Sequence, residues 1–209
     1  MTITDNILST LTSMGFWELI AVLLGVAYLV LAMRQSNWCW PAAFLGTVIS
    51  IVIFWNVSLL MESALNAYYL AMAVYGWWSW RSGVQAQPLP IQTWRWSQHL
   101  AALLLVLGLT LASGYWLTHH SQAALPYLDS FTTWGAIITT WMVTRKVLEN
   151  WLYWLVVDGA AAYMYASKEL YFFTALMLVY LVMVVFGWLK WQREYQEQEH
   201  DKKLSNSFS

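Results

Sequence analysis

The stretch Glu149-Asn150-Trp151-Leu152-Tyr153-Trp154-Leu155-Val156-Val157-Asp158-Gly159 sets polar side chains inside an otherwise apolar segment. With 3.6 residues per helical turn, Asn150, Trp154 and Asp158 recur at every fourth position and share one face. Apolar residues precede Asp158 and small residues follow it, which predicts a carboxylate near the middle of a membrane. An ionisable group there costs a few kcal/mol and usually serves a function. We predict a ligand site on this face, with a purely structural hydrogen bond of Asp158 as the alternative.

The composition is that of an integral membrane protein. Hydrophobic residues make up 60% of the chain and charged residues 10%, against about 25% charged in soluble domains. A net charge of -1 with scattered basic residues argues against a nucleic-acid partner. One cysteine and four histidines without ligand spacing predict neither a disulfide nor a metal site, and no cofactor. Nucleophile elbows and glycine-rich phosphate loops are also missing from the sequence, so an enzyme is disfavoured.

Seven apolar segments lie along the chain, each of about 20 residues, the length that crosses about 30 Å of hydrocarbon. They run Trp17–Met33, Trp38–Asn56, Glu62–Trp80, Gln98–Leu117, Leu128–Val143, Glu149–Ala166 and Leu170–Trp191. We expect four regions: a first three-helix unit at 1–81, a linker with helix four at 82–127, a second three-helix unit at 128–191, and a mobile polar tail at 192–209.

Basic residues predict the orientation. With seven spans, all but one of the lysines and arginines fall on the same side, and Lys168 alone falls on the other. Cytoplasmic loops carry the excess of Lys and Arg, so the N-terminus is expected outside and the C-terminus in the cytoplasm.

An internal repeat is also predicted. A shift of 111 positions aligns Arg34 with Arg145, Tyr69 with Tyr180, Gly76 with Gly187, Trp77 with Trp188 and Trp80 with Trp191. A shift of 113 aligns Asn37-Trp38 with Asn150-Trp151 and Gly46 with Gly159. Because one span intervenes, the two copies would have the same orientation, and transporters of this kind bind substrate between their halves. The alternative is chance alignment of aromatic-rich helix ends.

Other spans offer further candidates for the site. Asn66 and Tyr69 share a face of the third span, Thr47 lies in the second, and Tyr180 lies in the seventh. Aromatic faces beside a carboxylate suit a flat, cationic aromatic ligand, because a desolvated cation over Trp gains about 2 kcal/mol. Trp151 joins the candidates, with an interfacial anchor as its alternative role.

Two motifs carry a resemblance to a known family. Thr144-Arg145-Lys146 with Glu149-Asn150-Trp151-Leu152-Tyr153-Trp154, and Tyr75-Gly76-Trp77-Trp78-Ser79-Trp80, resemble the PnuC-type vitamin transporters, best known for nicotinamide riboside. The resemblance implies an all-α membrane protein of seven helices in a 3+1+3, SWEET-like arrangement. It also implies a homotrimer in the bacterial inner membrane, facilitated diffusion of the unphosphorylated vitamin, and a cytosolic vitamin kinase that makes uptake directional.

The resemblance also suggests roles and shows departures. The family's Trp-x-x-Trp matches Trp151 and Trp154, whereas Asp158, Asn66 and Ala73 depart from the residues common in nicotinamide riboside members. We expect Trp154 to stack the ring, Asn150 and Asn66 to bond polar groups, and Asp158 to balance positive charge or bond ribose hydroxyls. Nicotinamide riboside is the expected substrate and thiamine the alternative; a non-transporting membrane scaffold is a third, different class.

Overall fold

The computed structural model describes Asp5 and residues 15–56, 60–81, 89–121 and 125–207, and from Phe16 onward these form seven helices. They are α1 (Phe16–Met33), α2 (Cys39–Asn56), α3 (Leu60–Arg81), α4 (Trp96–His120), α5 (Pro126–Thr144), α6 (Asn150–Ser167) and α7 (Tyr171–Ser207). The all-helical fold class is confirmed, and each predicted span corresponds to one helix. The N-terminal 14 residues other than Asp5, and residues 82–88 of the predicted linker, lie outside the described residues.

The polar tail is helical. Helix α7 continues beyond Trp191 to Ser207, so the described part of the tail extends the seventh span. Ion pairs one helical turn apart support the extension, with Lys190 Nζ 3.7 Å from Glu194 Oε1 and Lys202 Nζ 2.8 Å from Glu199 Oε1. Such pairs stabilise a helix even where its surface is polar.

Helices α1 and α5 end in the same way. Gln35 and Lys146 both adopt a left-handed backbone, with φ of 51° and 50°. The next amide in each turn donates back to the helix, from Ser36 to Leu31 O at 2.9 Å and from Val147 to Met142 O at 3.0 Å. This capping arrangement satisfies carbonyls that the helix end would leave free. It also turns the chain sharply into the following helix.

Six of the seven helices form a closed ring. Helix α1 packs on α2, α2 on α3, α3 on α5, α5 on α6, α6 on α7, and α7 on α1. Helix α4 stands outside the ring and packs on α5, burying Ala102, Val106, Thr110 and Gly114. A Cβ at Gly114 would lie 2.4 Å from the Tyr127 ring, so glycine is what allows this close approach.

The outer surface is apolar. Along α4, Leu100, Leu103, Leu104 and Leu107 are each about half exposed. By length and composition, α1, α4 and the Tyr171–Ser205 part of α7 are apolar enough to cross a membrane, and the Cys39–Ile53 part of α2 is a shorter apolar helix. These apolar helices are those of a multi-pass membrane protein.

Four buried tryptophans close one end of the ring, the end at which α1, α3, α5 and the apolar part of α7 terminate. Trp40 and Trp80 meet edge to face at 5.2 Å between ring centroids, and Trp151 and Trp191 do the same at 5.4 Å. The Trp80 indole donates to Val143 O at 3.1 Å, and the Trp191 indole to Ala32 O at 3.2 Å. We call these four residues the tryptophan cluster. The end of the ring that they close is called the basic end, because every Lys and Arg except Lys168 lies at it or beyond it.

Positions 111 residues apart make matching contacts throughout this cluster. Gly76 lets the Trp40 ring approach its helix as Gly187 does for Trp151, since an added Cβ would lie 2.3 Å and 2.5 Å from the respective rings. The 113-residue offset predicted for Trp38 and Trp151 is wrong. Trp38 is 68% exposed, whereas Trp40 takes the buried place that corresponds to Trp151.

The described part of the linker holds the α5–α6 turn. Gln92 pairs with Val147 in a parallel bridge, with Gln92 N–H donating to Lys146 O at 3.0 Å and Leu148 N–H donating to Gln92 O at 2.8 Å. At the start of α4, the His99 ring lies 2.9 Å from the Tyr153 hydroxyl, measured at Nδ1. The linker therefore anchors the second half of the ring at its basic end.

Candidate substrate-binding cavity

The helix ring encloses a cavity of about 360 Å³, a size that suits a small organic ligand. All six ring helices contribute to its lining. Six of the eight residues predicted for the site are among the lining residues: Thr47, Asn66, Tyr69, Trp154, Asp158 and Tyr180. Helical spacing predicted this outcome on α6, because Trp154 and Asp158 lie one turn apart and point the same way.

Asp158 gives the cavity its charge. Its side chain is 7% exposed, and the described lining contains no second carboxylate and no Lys, Arg or His. A carboxylate in such surroundings interacts with an opposite charge far more strongly than it would in water, because the local dielectric constant is low. An ionised Asp158 would therefore make the cavity complementary to a cation.

Aromatic rings form much of the remaining wall. Trp154, Tyr69 and Tyr180 were predicted, and Tyr28 and Trp40 join them. A Cβ at Gly25 would lie 2.8 Å from the Tyr180 hydroxyl, so glycine in α1 leaves the space that this hydroxyl occupies. Ring faces and hydroxyls together suit a flat ligand that carries polar substituents.

Asn150 and Trp151 do not reach this cavity. The Asn150 side chain is fully buried in the first turn of α6, where its amide donates to Val147 O at 2.6 Å. Trp151 packs between Gly187 and Trp191 in the tryptophan cluster. Both residues precede Trp154 by about one turn, which moves them from the cavity into the packed basic end. Their placement favours a structural role over the predicted ligand contact.

The lining residues that escaped prediction include Tyr28, Trp40 and Thr140. Helix α1 is apolar on every side, so its sequence does not indicate which face carries Tyr28 inward. Trp40 could have been found from its partner Trp151 at the 111-residue offset. The Thr139-Thr140 pair, polar within an apolar span, was a usable signal for α5.

The arrangement is suited to binding, not to covalent chemistry. The lining residues that the structure describes include no Cys, His or Lys that could act as a nucleophile or base. Among the described residues, no group of three or more His, Cys, Asp and Glu could hold a metal ion.

A closed helix ring around a small, largely apolar cavity that contains one carboxylate, with an apolar exterior, suits a membrane transporter, and comparison with known proteins agrees. Residues 15–193 match the family model described as nicotinamide mononucleotide transporter, and the chain belongs to this family. The family and its structural relatives are transporters, not enzymes.

Two characterised relatives carry different vitamins. The riboflavin/roseoflavin transporter RibM of Streptomyces davaonensis is 23% identical over 178 residues, covering 83% of each protein. The nicotinamide riboside transporter PnuC of Escherichia coli is 23% identical over 159 residues, covering 63% of this chain and 65% of PnuC.

A solved structure has the same fold. The crystal structure of the vitamin B3 transporter PnuC superimposes with a TM-score of 0.70 at 17% identity, covering 93% of this chain and 88% of that one. The resemblance drawn from the two sequence motifs is confirmed, and the protein belongs to a family of transporters.

Proposed function

We propose that this protein carries nicotinamide riboside, an unphosphorylated cationic vitamin, across the bacterial inner membrane by facilitated diffusion. The observation that carries the proposal is the buried carboxylate of Asp158, the lone charge among the described lining residues, in a wall rich in aromatic rings. The pyridinium ring of nicotinamide riboside is flat and positively charged. It would stack on Trp154, while Asp158 balances its charge or accepts hydrogen bonds from its ribose hydroxyls.

Thiamine is the second candidate because it is also flat, aromatic and cationic. Riboflavin, which the relative RibM carries, has a neutral ring system. A buried carboxylate with no basic partner in the lining favours the two cations over riboflavin, since it gains most from an opposite charge.

The same charge pattern disfavours a phosphorylated ligand. A phosphate group needs Arg, Lys or several N–H donors, and here it would meet the Asp158 carboxylate instead. Phosphorylation by a cytosolic kinase would therefore remove the vitamin from the transport equilibrium and make uptake directional.

We further propose that α1–α3 and α5–α7 are two copies of one parallel three-helix unit, with α4 as the connector. The ring order supports this, because each packed pair of helices in one half has its counterpart in the other. The basic end would face the cytoplasm, following the positive-inside rule. The homotrimer implied by the resemblance is tested by light scattering of the purified protein.

The proposed substrate is tested by titrating the detergent-purified protein and following its fluorescence, since 16 tryptophans supply the signal. The ligands are nicotinamide riboside, its 5′-phosphate, thiamine and riboflavin. We expect saturable quenching by nicotinamide riboside and none by the phosphate. Quenching by riboflavin or thiamine alone would reassign the substrate. A protein that binds none of the four, and gives no flux into vesicles, would favour the scaffold interpretation.

The role of Asp158 is tested by Asp158→Asn, with Asp129→Asn as the matched control. Asp129 lies in the first turn of α5 and is not among the residues that line the cavity. We expect Asp158→Asn to weaken binding of either cation at least tenfold, equivalent to about 1.4 kcal/mol. Binding of riboflavin should change little. Equal affinity for the cation in both variants would refute charge recognition by Asp158.

A further inference from the structure

The cavity lining contains pairs of residues that occupy equivalent positions in the two halves of the ring. Five pairs, each 111 positions apart, are present: Leu29 with Thr140, Ala43 with Trp154, Thr47 with Asp158, Asn66 with Met177, and Tyr69 with Tyr180. Positions related by a two-fold axis lie on opposite sides of that axis. The cavity therefore lies between the two halves, with corresponding residues facing one another across it.

The two tyrosines are the only identical pair of the five, and the largest difference in size is between Ala43 and Trp154. Between Ala42 and Ser50, every lining residue that α2 supplies is small: Ala42, Ala43, Gly46, Thr47 and Ser50. Helix α6 supplies the indole of Trp154 and the carboxylate of Asp158. One wall is thus shallow and smooth, while the opposite wall carries the two groups that would hold a ligand.

We propose that Ala43 is a specificity-determining residue, whose methyl group leaves open a slot for the vitamin's ring against Trp154. This inference rests on the proposed function. A ring held between two surfaces needs roughly 3.5–4 Å of contact distance on each side. The space that a second tryptophan would occupy at position 43 is the space that the ring needs. The size of residue 43 then selects which ring system the transporter accepts.

Gly46 keeps this wall close to α1. A Cβ at Gly46 would lie 3.3 Å from Leu24 Cβ, so α1 and α2 already pack tightly beside the slot. A larger side chain at position 43 is therefore not accommodated by moving α2 toward α1, and we expect it to extend into the cavity.

The decisive variant is Ala43→Trp, with Leu45→Trp as the matched control. Leu45 is on the same helix and 53% exposed on its outer face, so the control adds an indole to lipid-facing surface. We expect Ala43→Trp to weaken binding of the vitamin that the wild type binds best by at least 100-fold. Leu45→Trp should bind as the wild type does. Unchanged binding by Ala43→Trp would overturn the proposal.

A second variant separates slot filling from misfolding. Ala43→Trp combined with Trp154→Ala moves the indole to the opposite wall and restores the width of the slot. We expect this double variant to bind at least tenfold more tightly than Ala43→Trp. If it is no better than Ala43→Trp while its melting temperature matches the wild type, the slot is not where the ring lies.

Thiol labelling tests the slot without knowledge of the substrate. The native Cys39 is fully buried and is replaced by alanine. Ala43→Cys should then react with a small cationic methanethiosulfonate much faster than Leu45→Cys. Slow reaction at position 43 would refute the slot. Fast reaction in a protein that binds no vitamin would refute the proposed substrate alone. Binding of a vitamin that leaves Ala43→Cys unprotected would refute the slot and keep the proposed function.

Discussion

Replacing Gly187 by alanine is expected to destabilise the protein by about 1–2 kcal/mol. The added Cβ would lie 2.5 Å from Trp151 Cζ3 and 2.6 Å from two further atoms of that ring, where ordinary contacts are about 3.5–4.0 Å. Trp151 is 2% exposed and packs at 5.4 Å on Trp191, so its ring has little freedom to retreat. Overpacking of this kind costs about 1–3 kcal/mol, and alanine recovers up to about 1 kcal/mol of helix propensity.

The equivalent change in the other half should act on function as well. A Cβ at Gly76 would lie 2.3 Å from Trp40, which lines the cavity, whereas Trp151 does not. Gly76→Ala is therefore expected to weaken vitamin binding and lower stability. Gly187→Ala should lower stability and leave the affinity near that of the wild type.

The assay is thermal unfolding in detergent, followed by intrinsic fluorescence, together with the vitamin titration. Gly159→Ala is the matched control, because an added Cβ there meets no atom within 4 Å. For a chain of this length, about 1–2 kcal/mol corresponds to a melting temperature lower by roughly 2–8 °C. A Gly187→Ala protein as stable as Gly159→Ala would show that the Trp151 ring is not held as described.

Two further predictions concern the basic end. Trp80→Phe removes the indole N–H that donates to Val143 O at 3.1 Å, and Trp191→Phe removes the one that donates to Ala32 O at 3.2 Å. Each change should lower the free energy of unfolding by about 1–3 kcal/mol, because it leaves a buried carbonyl without its partner. Clearly unequal losses would contradict the proposed equivalence of the two halves. Burial lowers the pKa of Lys146 from 10.5 to about 8, with the Glu194 carboxylate acting in the opposite direction. Because Lys146 then binds more protons in the unfolded chain than in the folded one between pH 8 and 10.5, the free energy of unfolding of the wild type should rise with pH relative to that of Lys146→Met across that window. Relative to Lys190→Met it should show no such rise, and a difference between wild type and Lys146→Met that stays constant from about pH 8 to 10 would refute this assignment.

Much of the site could be predicted because helical spacing is a local property. Once α6 is a helix, Trp154 and Asp158 must share a face, and the same holds for Asn66 and Tyr69 on α3. Whether a residue on that face reaches the cavity also depends on its position along the helix, and this is not a local property because it depends on what packs around the helix. Asn150 shares the face of Asp158, but it lies two turns nearer the basic end, where the tryptophan cluster fills the interior.

The lysine in the α5–α6 turn makes long-range contacts that its local sequence does not indicate. In the sequence Lys146 is one of the basic residues that indicate topology, yet in the structure it is only 3% exposed. Its ammonium group donates to Gln35 Oε1 at 2.8 Å and lies 4.7 Å from the centre of the Trp80 ring. Gln35 is the residue that precedes it by 111 positions. The turns that follow α1 and α5 therefore meet through these two side chains, a contact that the sequence alone suggests only through the 111-residue offset.

The sequence by itself determined the membrane class, the seven helices and most of the candidate binding residues, because hydropathy and helical period depend on residues close together in the chain. The tertiary structure alone decided the closed ring of six helices and the exclusion of Asn150 and Trp151 from the cavity. Those outcomes depend on which helices pack together. In helices that are apolar on nearly every side, the sequence carries little record of which face meets protein and which meets lipid.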